Sequence, residues 1–153
     1  MASLESKIPP PAVVVLIGVL MWLVARATPR LDFDLPAHVW LAAALGVVGF
    51  VTGAAGVATF RKAKTTVNPL KLHSSSSLVT WGVYRLSRNP MYLGGLMMLF
   101  GWALFLLNTP AFLLLAVYVL YINRFQIVPE ERALTSLFST EYVAYQVRVR
   151  RWL

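Results

Sequence analysis

The chain has 153 residues, 58% hydrophobic and only 13% charged, where soluble domains usually carry about a quarter charged residues, so lipid is the expected solvent. It has no cysteine, which excludes disulfides, thiolate metal sites and a cysteine nucleophile, and its two histidines, His38 and His73, are too few for a zinc or di-iron centre. The net charge of +8 comes from residues that flank apolar runs, so anionic lipid headgroups rather than nucleic acid are the expected counter-charge.

Crossing ~30 Å of hydrocarbon takes about 20 apolar residues as helix. The first expected span runs from Pro11 to Ala27, entered through Pro9-Pro10-Pro11 and closed by Arg26. Lys7 ahead of this run and Ala25-Arg26-Ala27 at its end resemble a signal peptide, but the run is long for one and is read as a retained span. A short loop with Arg30, Asp32 and Asp34 leads to a second span, Ala37 to Phe60, stopped by Arg61-Lys62. That span carries Gly46, Gly49, Gly53 and Gly56, a small-xxx-small pattern that permits close helix approach, within the chain or between protomers.

From Arg61 to Pro90 six cations occur without one acid. The Ser74 to Ser77 run within this loop reads as local flexibility. The next 33 residues, Met91 to Asn123, carry no charge. As one helix they would measure roughly 50 Å, too long for a bilayer. Asn108-Thr109-Pro110 is a turn signal, so a hairpin is expected, Met91 to Leu107 and Ala111 to Ile127, ended by Pro129. The reading is therefore all-α: one membrane domain over 1–153, four transmembrane helices (11–27, 37–60, 91–107, 111–127), a loop 61–90 and a helical tail 128–153. Lys7, the six loop cations and Arg132, Arg148, Arg150 and Arg151 share one side, which the positive-inside rule places in the cytoplasm with both termini.

Two polar clusters flank the hairpin. Tyr84-Arg85-Leu86-Ser87-Arg88-Asn89-Pro90-Met91-Tyr92-Leu93-Gly94-Gly95 opens the third span, with Pro90 suited to a first helical turn and free amides near Arg88 and Asn89 suited to an anion. Pro129-Glu130-Glu131-Arg132-Ala133-Leu134 follows the fourth span, with Phe138 and Glu141-Tyr142-Val143-Ala144-Tyr145 beyond it. Taken singly, these are ordinary interfacial anchors, belt tyrosines and a helix start.

In combination they resemble the integral membrane methyltransferases that include isoprenylcysteine carboxyl methyltransferases and phospholipid methyltransferases. Arg88, Asn89, Pro90, Tyr92 and Gly94 fill the first motif, Glu130, Glu131 and Leu134 the second, and Phe138, Tyr142, Tyr145, Arg148 and Val149 the third. The likeness covers about Thr65 to Val149. Ser139 stands where a glycine is usual and Arg150 where a proline is common; Asn89, in place of histidine, is frequent in bacterial relatives, which points to a prokaryotic inner membrane.

The resemblance implies S-adenosylmethionine as methyl donor, becoming S-adenosylhomocysteine, in a cytoplasm-facing cavity roofed by the C-terminal segment. Arg88, Tyr92, Gly94, Glu130 and Glu131 are then the principal contacts, with Asn89, Pro90 and Leu93 beside them. Arg88 suits the donor's carboxylate, the glutamates its ammonium and ribose, Tyr92, Tyr142 or Tyr145 its sulfonium, and Gly94 a close approach of the ligand to the helix. The acceptor is expected to be lipophilic and to enter from the bilayer; a carboxylate or thiolate acceptor fits slightly better than a lipid amine, which needs a base such as Glu131 or Glu141, with Arg148 nearby. Rival readings are a sterol-type membrane reductase using a nicotinamide cofactor and a non-catalytic scaffold that binds anionic lipid.

Overall fold

The computed structural model describes residues 8–63 and 77–153, with Arg30 by its backbone alone; the serine run up to Ser76, Lys7, Lys64, Lys71 and His73 lie outside the described residues. The described chain is helical: α1 (Pro10–Ala27), a 3-10 turn (Pro29–Leu31), α2 (His38–Lys62), a 3-10 turn (Gly82–Arg85), α3 (Pro90–Leu106), α4 (Thr109–Ile122), a π turn (Asn123–Ile127) and α5 (Val128–Arg148). α1, α2 and the continuous run Thr109–Arg148 are each long and apolar enough to cross a membrane, and α3 is a shorter apolar helix. Outward-facing side chains such as Trp40, 78% exposed, and Phe50, 67% exposed, form an apolar surface that only lipid would cover well.

Local chemistry explains the boundaries. Prolines occupy the first turns of α1, α3 and α4, where a missing N–H costs nothing. α3 ends at Leu107 in the left-handed region, and Asn108 caps α4 by accepting from the Ala111 amide at 3.2 Å. Asn108 is fully buried and also donates to the Asp32 carboxylate at 2.7 Å and the Thr28 carbonyl at 3.0 Å, which ties the hairpin to the loop after α1.

The expected stop at Pro129 does not occur. A proline lacks an N–H and its ring presses on the carbonyl four residues back. The π turn just ahead of it shifts the hydrogen bonding, so that Val128 N–H donates to the Asn123 carbonyl, and the helix continues into α5. The tail is therefore an extension of the fourth apolar helix. It bends at Ser139, whose φ of 40° and ψ of −114° suit glycine.

α3 lies at the centre. α1 and α4 pack on one flank through Val13, Ile17, Met21, Leu99, Ala103, Ala111, Tyr118 and Ile122. α2 packs on the other flank almost entirely through α3. Lipid offers no hydrophobic drive between helices, so contact depends on close backbone approach. A Cβ at Gly49 would sit 2.6 Å from the Gly94 carbonyl oxygen, and one at Gly101 would sit 2.7 Å from the Ala42 carbonyl oxygen. Gly49 and Gly56 of the α2 stripe are thus packed within the chain on α3.

Two outcomes test this packing. Gly49→Ala loses about 1–3 kcal/mol of stability in thermal unfolding in detergent, because backbone must separate, whereas Gly46→Ala, whose Cβ meets nothing within 4 Å, is neutral or slightly stabilising. Ser139→Gly gains about 1 kcal/mol by releasing the strained φ.

Candidate functional site

The two sequence clusters meet at the shared end of α3 and α5. Ahead of α3, Gly82 takes φ +63° against Thr59 of α2 and starts the 3-10 turn. Tyr84 is thereby buried, with its ring edge-on to Phe60 at 5.2 Å. α5 folds back over this segment: Tyr142 and Tyr145 are buried against it, and the Tyr145 hydroxyl donates to the Tyr84 carbonyl at 2.6 Å. Burial pushes the Tyr145 phenol up, as it does that of Tyr142, where nearby Glu131 adds to the rise and Arg88 opposes it.

The two adjacent glutamates occupy different surroundings. Glu131 meets Arg88 Nη1 at 3.0 Å and is held by Arg151 through Nε at 3.1 Å and Nη2 at 2.6 Å. The Glu131 hydrogen bond holds the Arg151 guanidinium above its usual value, more than burial lowers it. Arg88 is largely shielded, 12% exposed, and its buried Nε has no hydrogen-bond partner. Glu130 instead accepts a hydrogen bond from the Tyr92 hydroxyl of α3. Burial pushes the Glu130 carboxyl up to about 7; the Tyr92 bond opposes the shift and the Glu131 charge adds to it. The Tyr92 backbone carbonyl in turn accepts from the buried Tyr118 hydroxyl of α4 at 3.1 Å, which fixes α3 against the hairpin partner.

A strap after α5 completes the site. The Arg150 carbonyl accepts from the Arg88 amide at 3.0 Å, and the Arg151 carbonyl accepts from Asn89 Nδ2 at 3.0 Å and the buried Ser87 hydroxyl at 3.3 Å. Trp152 Nε1 donates to Asn123 in the π turn at 3.2 Å. Asn89 is therefore committed to the strap, and the Arg88 amide is not free for an external anion.

Of the residues singled out from sequence, Arg88, Tyr92, Glu130, Glu131 and Tyr142 come together, with Pro90 and Leu93 in the first turn of α3 beneath them. Tyr145 is turned to the Tyr84 carbonyl. Gly94 faces α2, where a Cβ would lie 2.5 Å from the Gly49 carbonyl oxygen, so its missing side chain serves helix packing. Glu141 and Arg148 are exposed on α5, which removes Glu141 as a base inside the cluster. A cavity was expected to join Arg88 and Glu130; Arg88 instead pairs with Glu131 while Glu130 is held by Tyr92, and a hollow of about 340 Å³ lies elsewhere, between Val15 and Trp22 of α1 and Met98 and Trp102 of α3. Sequence reading took Arg151 only as a cytoplasmic charge, included Ser87 in the first cluster without a role, and gave none to Asn123 or Trp152.

Residues 37–141 match the family described as phospholipid methyltransferase. An uncharacterized protein of Haemophilus influenzae is 48% identical over 63 residues, 41% of this chain and all of that protein. The protein-S-isoprenylcysteine O-methyltransferase of Saccharomyces cerevisiae is 39% identical over 82 residues, 52% of this chain and 33% of the yeast enzyme. The chain thus aligns with only a third of that enzyme. No solved structure matches.

The raised Glu130 carboxyl has a defined effect on stability. Its folded value lies above the unfolded one, so the folded state binds the proton more tightly; the stabilising contribution is complete below about 4.5 and is lost as pH rises through about 7. Thermal unfolding of the wild type should therefore fall between pH 5 and 8 by more than that of Glu130→Gln. Parallel curves for the two would show that Glu130 is not desolvated.

Proposed function

The chain belongs to the phospholipid methyltransferase family, and on that premise we propose that it transfers a methyl group from S-adenosylmethionine to a lipophilic acceptor at the cytoplasmic face of a membrane. The observation that carries this reading is the meeting of Arg88 with Glu131 directly beside the Tyr92–Glu130 pair.

These residues fit such a donor. Arg88 offers a buried, unpartnered Nε to a carboxylate, Glu131 offers a carboxylate to an ammonium, and Tyr92 and Tyr142 are the nearby aromatic rings that suit a sulfonium. When bound, the donor supplies an activated methyl on sulfur, so the chain's own task is alignment and exclusion of water. Burial by α5 and the strap provides the exclusion, and the α3 start provides the alignment. A carboxylate or thiolate acceptor needs no base. With a lipid amine, Glu130 is the group placed to take the proton, because Tyr92 orients it and its carboxyl changes charge near neutrality; Glu131 is occupied by two guanidiniums.

The topology reading follows the same ends. We take α1, α2, α3 and α4 as four crossings. The site end carries Arg61, Lys62, Arg85, Arg88, Arg148, Arg150 and Arg151, and the far end carries Arg26 beside Asp32 and Asp34, an asymmetry that favours a cytoplasmic site.

Membranes containing the protein, supplied with methyl-labelled S-adenosylmethionine, should yield a labelled lipid-soluble product, and Arg88→Ala should weaken calorimetric binding of S-adenosylhomocysteine by about 10–100-fold, as expected for a lost charged hydrogen bond. Unlabelled lipid together with wild-type affinity in Arg88→Ala would sink the reading.

A further inference from the structure

Glu131 sits between two guanidiniums that differ in how they are held. Arg88 is 12% exposed and reaches Glu131 from the start of α3, whereas Arg151 is 39% exposed and reaches it from the strap. The strap backbone is fastened independently of that side chain, by the Arg150 and Arg151 carbonyls and by Trp152 on Asn123. The Arg151 guanidinium can therefore leave without unfolding the strap, because those fastenings do not use its side chain. The Arg88 guanidinium has no such freedom, and its Nε still lacks an acceptor.

The order of charges is thus fixed Arg88, Glu131, removable Arg151. An α-amino acid group presents a complementary pair, an ammonium and a carboxylate on one carbon. Resting on the methyl-donor reading, we propose that Arg151 is a displaceable counter-ion and the specificity-determining residue for a zwitterionic ligand: the ligand's ammonium replaces Arg151 on Glu131 while its carboxylate takes Arg88 Nε. A ligand with a carboxylate or phosphate alone satisfies Arg88 but leaves Arg151 on Glu131, and so gains nothing from the exchange. The site selects for both charges at once.

Calorimetry on protein in phosphatidylcholine nanodiscs separates the possibilities, with S-adenosylhomocysteine as the zwitterionic probe and 5′-methylthioadenosine as the probe without the amino acid group. Arg151→Gln, which no longer competes for Glu131, should bind S-adenosylhomocysteine about five- to tenfold more tightly than wild type, with 5′-methylthioadenosine unchanged within about twofold. Arg151→Lys, which keeps the charge but loses the paired contacts, should fall between. Weaker S-adenosylhomocysteine binding in Arg151→Gln would make Arg151 a permanent wall of the site and overturn the proposal while leaving the methyl-donor reading intact. Equal shifts for both probes would reduce Arg151 to a structural role and overturn it as well. If neither wild type nor Arg151→Gln binds S-adenosylhomocysteine although both melt normally, the methyl-donor reading fails and the proposal falls with it.

Discussion

Glu131 is where segments distant in sequence are fastened together. It stands at the start of α5, Arg88 comes from the start of α3, and Arg151 comes from the strap beyond α5. A carboxylate removed from water is tolerated only when its partners are charged and well placed. Meeting that requirement holds α5 folded back over the segment before α3, and the buried tyrosines Tyr84, Tyr142 and Tyr145 fill the space this creates. The polar cap is assembled around one charge, whereas the helices below it are held by shape.

That division follows from the two solvents. Inside lipid, α2 and α3 gain little from being apolar, so glycine lets their backbones touch. Outside it, ion pairs and carbonyl acceptors take over, and the strap's contacts with Ser87, Arg88 and Asn89 are all polar. Tyr92 joins the two regimes: its backbone is tied to Tyr118 within the hairpin and its hydroxyl to Glu130 in the cap.

Much of the helical layout was legible because run length and punctuation are local signals. The hairpin turn at Asn108 and the proline starts of α1, α3 and α4 needed no tertiary knowledge. Pro129 misled because its usual effect was cancelled by a π turn, a shift in hydrogen-bond register that leaves no compositional trace. Gly49 was readable as a contact-maker, but Gly94 was read as a point of ligand approach and not as its partner. In the candidate site, Arg88 and the two glutamates stood out through their resemblance to a family pattern. Arg151 did not, since its meeting with Glu131 depends on the bend at Ser139 and on a strap reversing direction, neither of which spacing reveals.

The 40-residue helix Thr109–Arg148 carries the glutamates on the same rod that spans the apolar layer. Glu130 therefore stands at a height set by how α4 seats itself in the hydrocarbon. The thickness of the hydrocarbon layer that α4 fills thus sets how deep Glu130 and Glu131 stand below the headgroups.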